Sequence, residues 1–144
     1  MIRSAYEHVA LIDTSAVLAL LNPAERFHAD ARLLFAETND LTWAALDVTS
    51  HETYTRARYR PLATRAALEH YSFLRNSANI TTHRFQPADE PDAYTILDRY
   101  SDHAFSFHDA LCAAAMKRLG IIKVFTFDRD FAVMGFVVLP GLLA

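Results

Sequence analysis

Short apolar runs alternate with helix-patterned stretches along almost the whole chain, and this alternation limits the fold more than any other feature. HVALID at residues 8–13 is too short for a core helix and reads as a fully buried parallel strand. Residues 14–21 read as a helix stopped by Asn22-Pro23. Residues 24–37 follow as an amphipathic helix with Phe27, Leu33 and Leu34 on or near one face. Residues 41–45 form a weaker second strand, and residues 48–59 a helix closed by Pro61. Pro61 also suits the first turn of the next helix, which ends near residue 75. Residues 80–85 alternate as a strand. Residues 87–100 make a helix with acids in its first turns, where the helix dipole favours them. A strong helix at 106–119 ends at Gly120. A strand at 121–127, a short helix at 128–134 and a last strand at 136–139 complete the order. The pattern predicts an α/β fold with a mainly parallel central sheet covered on both faces. The 144 residues suffice for one domain, 1–144, with one well-buried core.

Ligands of such sheets gather outside the carboxyl ends of the strands. Four acids sit where this chain leaves an apolar strand or enters a helix: Asp13, Glu52, Asp109 and Asp128. Each has a plain structural reading. Ser106-x-x-Asp109 and Thr49-x-x-Glu52 fit capping boxes. Asp13 and Asp128 fit N-caps, each worth about 1 kcal/mol. Taken together the four argue for more. Asp13 follows an apolar run and precedes a helix with no other charge, and Asp109 is followed at once by Ala-Leu-Cys-Ala-Ala-Ala-Met. Two like charges about 4 Å apart repel by roughly 4 kcal/mol at an effective dielectric of about 20. Several acids on one edge therefore raise their own pKa values or bind a cation. Oxygen donors alone select Mg2+ or Mn2+, which accept phosphate oxygens and polarise a phosphodiester.

LIDTSAVLALL, TSHETYTR, YSDHAFSFHDALCAAAMKRLG and VFTFDRDF followed by GFVVLP, in that order and spacing, resemble a PIN domain, and within that group the VapC toxins of toxin–antitoxin pairs. The resemblance spans nearly the whole chain. It implies a three-layer α/β/α sandwich and an endoribonuclease that depends on Mg2+ or Mn2+. It also implies homodimerisation and inhibition by a small VapB-like antitoxin. Carried over by position, Asp13 and Asp109 match the acids most directly tied to metal. Glu52 and Asp128 would complete the pocket, directly or through water. Thr14 and Ser106 match small hydroxyl positions beside the first and third acids, Thr126 could hydrogen-bond near the site, and Asp130 is a candidate fifth acid. No member of the motif set is missing. A loss of one acid would have favoured a binding or regulatory module without cleavage.

Other chemistries fit less well. Seven histidines invite a zinc reading, but His103 and His108 show no ligand spacing. His51 and His108 directly precede Glu52 and Asp109. Neighbours on a helix point about 100° apart, so these histidines are expected to face away from the acids. An aspartyl phosphatase would need a second Asp two places after Asp13, where Ser15 stands. Arg56, Arg58, Arg60 and Arg65 form the one dense basic stretch, suited to phosphate or to a solvated helix end. Tyr54, Tyr59 and Phe107 could stack on bases, although core packing is the expected role. The net charge of −3 rules out a global basic field, so phosphate contact must be local. Cys112 alone excludes an internal disulfide and is expected to be a buried, inert thiol. Glu7, His8 and Asp13 interrupt the first apolar run, so no secretory leader is expected. The uncharged end, 131–144, carries Gly135 and Pro140 and is too short for a membrane helix, which points to a cytoplasmic protein. Leu18, Leu21, Phe27 and Phe35 supply apolar surface for the expected dimer face.

Overall fold

The computed structural model describes residues 8–141. Residues 1–7, which bear on the leader, and 142–144, the end of the uncharged stretch, lie outside the described residues. The order is β1 (Val9–Ile12), α1 (Thr14–Leu21), α2 (His28–Glu37), β2 (Thr42–Leu46), α3 (Asp47–Arg58), α4 (Thr64–Asn76), β3 (Ile80–His83), α5 (Asp89–Arg99), α6 (Phe107–Leu119), β4 (Lys123–Phe125), α7 (Asp130–Val133) and β5 (Val137–Leu139). The five strands form one sheet in the order β3-β2-β1-β4-β5, and every pair is parallel. The expected parallel sheet is thus present without an antiparallel strand among the described residues.

Side-chain alternation along the strands divides the core into two layers. Ala10 and Ile12 of β1, Trp43 and Ala45 of β2 and Phe125 of β4 point into one apolar cluster with α1, α2 and α4. Leu11, Ala44, Leu46 and Val124 point the other way, onto α5, α6 and α7. Fully buried strands need apolar residues on both faces, which is why β1 shows no polar alternation. Helix α3 lies between the layers' margins, packed on α4 and α1 and touching α6. Helix α6 explains its own composition. Ala110, Ala113, Ala114 and Ala115 are buried, and their small side chains let the helix sit close to the sheet. Asp89 is buried against α6 by a bidentate pair with Arg118, at 2.8 and 2.9 Å. Its carboxyl is held below the usual range by that hydrogen-bonded guanidinium.

Two helices start later than expected. Helix α2 begins at His28 because residues 22–27 are a turn, where Asn22 Oδ1 accepts the Ala24 N–H at 3.0 Å. Helix α4 begins at Thr64 rather than at Pro61. The N–H groups of Arg60 and Leu62 both fold back onto the Ala57 carbonyl, and this turn at the end of α3 takes up Pro61. The apolar surplus assigned to a dimer face also has another use. Leu18 is buried, Phe27 stacks on Phe127 at 4.8 Å and Phe35 on Trp43 at 5.3 Å. Leu18 is therefore part of the core, while Leu21, Phe27 and Phe35 are half-buried and pack against it.

Candidate metal centre

Strands β1, β2 and β4 end on one edge, and helix α6 runs back along the sheet with its N-terminus at that same edge. Asp13 leaves β1, Asp128 follows β4, and Asp109 sits in the first turn of α6. Asp13 occupies the N-cap position of α1, but its side chain makes no capping hydrogen bond. Its Oδ2 instead accepts from Thr126 Oγ1 at 3.0 Å. Thr126 Oγ1 in turn accepts the Asp128 N–H and contacts Ser15 Oγ, each at 3.0 Å. Ser15 Oγ accepts the Phe127 N–H at 2.9 Å. Two hydroxyls therefore tie the loop after β4 to one oxygen of Asp13. The other oxygen, Oδ1, is buried and has no hydrogen-bond partner among the described residues. A buried carboxylate oxygen without a donor is costly unless a cation or a proton satisfies it.

The Asp13 carboxyl sits among other acids. Asp13, His108 and Asp109 each offer an atom within 4.8 Å of the others, and so do Asp109, Asp128 and Asp130. Asp109 belongs to both groups and stands at the centre. Burial, then the nearby Asp109 charge, pushes the Asp13 pKa up to about 6, although His108 opposes the shift. Asp130 is likewise pushed up to about 6, by burial and by Asp128, with which it shares a hydrogen bond. Asp128 Oδ1 accepts the Asp130 N–H at 2.9 Å, so its capping role is a local turn, and its carboxylate remains at the cluster.

Glu52 reaches the centre differently. It lies one and a half turns into α3 rather than at the junction, and its carboxylate is outside both close groups. His108 connects it. Nδ1 of His108 stands 3.0 Å from Glu52 Oε2 and 3.4 Å from Asp109 Oδ1. Nε2 stands 2.8 Å from Thr49 Oγ1, on α3. This overturns the expectation that His108 faces away. A backbone offset of about 100° does not separate long side chains when the partner acid comes from another helix. Burial works against a charge on His108, but the Cys112 sulphur, Asp109 and Glu52 outweigh it and push its pKa up to about 11. Burial also raises the Cys112 thiol, which leaves a neutral sulphur near neutral pH and the two carboxylates as the charged cause. Cys112 is buried, as expected.

A family model for the PIN domain matches residues 10–137. The chain belongs to the PIN domain family. It is 30% identical over 130 residues to the 23S rRNA-specific endonuclease VapC20 of Mycobacterium tuberculosis, covering 88% of this chain and 94% of that protein. The crystal structure of that VapC20, described as a sarcin–ricin loop cleaving toxin, matches with a TM-score of 0.81 at 29% identity, over 90% of this chain and 96% of the other. This places the PIN domain in the VapC branch. A Klebsiella pneumoniae toxin–antitoxin complex matches with a TM-score of 0.57 at 18% identity, over 94% and 96% of the two chains, which shows the shared fold.

Within this PIN domain the supporting residues divide. Thr126 is at the centre, bonded to Asp13. Ser106 is an exposed N-cap, accepting the Asp109 N–H at 3.0 Å, so half of the capping-box reading holds. Thr49 is no cap. Helix α3 starts two residues earlier, and the Thr49 hydroxyl is buried against His108. Thr14 is buried with its hydroxyl 3.4 Å from Thr53, packing α1 on α3. Ser15 and His108 were not selected from the sequence as site residues. A serine two places after an acid, and a histidine before one, carry no signal until β4 and α3 are brought alongside. Of the basic stretch, Arg56 lies 3.7 Å from Glu52, Arg60 pairs with Glu25, and Arg58 donates to the Leu62 carbonyl. Tyr59 and Phe107 are exposed, contrary to the expected core packing, while Tyr54 packs beside Leu18 and Ala57. No described helix is long and apolar enough to cross a membrane.

Proposed function

We propose that this PIN domain is an endoribonuclease dependent on Mg2+ or Mn2+ and acts as the toxin of a toxin–antitoxin pair. The observation that carries the reading is the partnerless, buried Oδ1 on a carboxyl, Asp13, that is grouped closely with Asp109. The donor set fits a hard divalent cation: carboxylate oxygens, one of them unsatisfied, on an edge where burial and the Asp109 charge push Asp13 up. Asp13 and Asp109 would hold the ion, with Asp128 and Asp130 on the far side of Asp109. When bound, the ion supplies Lewis acidity to a phosphodiester and offsets developing charge. Glu52 orients the attacking water and takes its proton. Thr126 and Ser15 keep Asp13 aimed by holding Oδ2. Arg56, at the rim beside Glu52, meets an RNA phosphate.

The substrate proposed is a structured ribosomal RNA loop, by similarity to the VapC20 relative. An exposed Phe107 in the first turn of α6 suits an unstacked base. The proposed partner is a small VapB-like antitoxin. A groove of about 600 Å3 lined by Leu21, Pro23, Leu62 and Phe73 offers a seat for an apolar segment. A basic side chain of the antitoxin would pair with the acidic edge. A homodimer remains part of this reading.

Titration of the purified protein with Mn2+ tests the centre. Wild type should bind, and Asp109→Asn should weaken binding by about 100-fold or more, because it removes the acid common to both groups. Cleavage of an RNA oligonucleotide carrying the ribosomal loop should depend on Mn2+ and fail in the same variant. Undiminished Mn2+ affinity in Asp109→Asn would sink the reading.

A further inference from the structure

We infer that His108 is a positioning residue, the strut that carries Glu52 into the acidic centre; this rests on the proposed nuclease reading. Glu52 is the one acid of the four that its own element does not deliver to the cluster. It belongs to α3, whereas Asp109 belongs to α6, and only a narrow contact joins those helices. His108 spans that contact from both ends. Its Nδ1 faces Glu52 Oε2 at 3.0 Å and Asp109 Oδ1 at 3.4 Å. Its Nε2 is anchored at 2.8 Å on Thr49 Oγ1, a fully buried hydroxyl one turn before Glu52. The ring side chain is itself only 10% exposed, so its rotamer is set by packing as well as by bonds.

These contacts separate positioning from ligation. His108 lies close enough to Asp13 and Asp109 to be grouped with them as a possible metal ligand. A ligating imidazole needs a lone pair free toward the ion. Here Nδ1 is turned to the acids, 3.0 Å from Glu52 Oε2 and hydrogen-bonded to Asp109 Oδ1 at 3.4 Å, and Nε2 lies against the Thr49 hydroxyl and 3.5 Å from the Cys112 sulphur. One edge of the ring faces the acids and the other the α3 anchor. Deleting the ring should therefore act through Glu52, and Asp13 and Asp109 should keep their place.

The test is a double-mutant cycle on the full chain with wild type, His108→Ala, Glu52→Gln and the pair, read by Mn2+ calorimetry and by RNA cleavage kinetics. His108→Ala should lower kcat about 10- to 100-fold, part of the roughly 100- to 10,000-fold that a positioned general base supplies, with KM within about threefold. Interacting residues do not add, so the pair should be no worse than Glu52→Gln in either kcat or Mn2+ affinity. Rescue separates the two ring edges. His108→Asn places an N–H where Nδ1 stands and should recover most of kcat. His108→Gln reaches only toward Thr49 and should not, although it restores the packing. Circular dichroism excludes loss of fold as the cause. Multiplying losses, no change from His108→Ala, or rescue by Gln in place of Asn would overturn the inference. So would loss of Mn2+ binding in His108→Ala while Glu52→Gln keeps it, because His108 would then be a ligand. If wild type binds Mn2+ with a non-additive cycle but cleaves no RNA, the nuclease reading fails and the strut stands.

Discussion

At Asp13 one carboxylate oxygen is committed to the protein and the other is not. Thr126 does the committing. Its hydroxyl donates to Oδ2 and accepts the Asp128 N–H, so one side chain fixes two of the four acids. Thr126→Val removes the hydroxyl while keeping the shape. It leaves a buried carboxylate oxygen and a backbone N–H short of partners, which costs about 1–3 kcal/mol. The expected result in urea unfolding is a lower midpoint with an unchanged slope, and recovery of most of the loss in Thr126→Ser. A Val midpoint equal to wild type, with the Ser midpoint lowered, would show that the methyl packing, not the hydroxyl, holds the loop.

Helix ends, rather than helix interiors, deliver this site. Asp13 precedes α1, Asp109 is in the first turn of α6, and Asp130 opens α7. Strand-to-helix junctions leave a sequence signature, since an apolar run stops at an acid and a new period begins. That made β1, α1, α6 and three of the acids readable. The signature fails where side chains reach across elements. Glu52 joins through His108, and Ser15 joins through Thr126, and no local pattern encodes either contact. It also fails at turns whose proline suits two roles, as at Pro61 before α4. Ser106 shows the opposite case, a residue whose local signal was complete. It caps α6 and faces solvent. Ser106→Ala should cost about 1 kcal/mol of stability. RNA cleavage measured well below the melting temperature should fall by less than about threefold if capping is its only task. A loss of kcat far beyond that, with a normal melting temperature, would give the hydroxyl a place in the chemistry.

On the scale of the whole molecule, the acidic edge makes the free protein pH-sensitive in a direction opposite to that of an ordinary salt-bridged carboxylate. The Asp13 and Asp130 pKa values are raised from 3.8 to about 6. A raised carboxyl binds its proton more tightly in the folded state. Its contribution to stability is full below the unfolded value and is lost as pH climbs through the folded one. For Asp13 the loss between about pH 4 and pH 7 is on the order of 3 kcal/mol, two pKa units at about 1.4 each. His108, raised from 6.5 to about 11, keeps its full contribution up to about pH 6.5 and gives it up progressively above that. His83, whose pKa is lowered by burial and by Arg118, works the other way as pH falls. It is the same in wild type and in Asp13→Asn, so the difference between the two isolates the acid. Metal-free wild type should melt lower at about pH 7 than at about pH 5, relative to Asp13→Asn, by on the order of 5 °C. Mn2+ should restore wild type at the higher pH, since an ion that binds only the folded state stabilises it by mass action. It should leave Asp13→Asn nearly unmoved. Differential scanning fluorimetry across that pH range, with chelator and with Mn2+, checks both halves. Parallel curves for the two proteins without metal would mean that the Asp13 charge is accommodated without an ion, and the case for an edge built around a cation would fall with it.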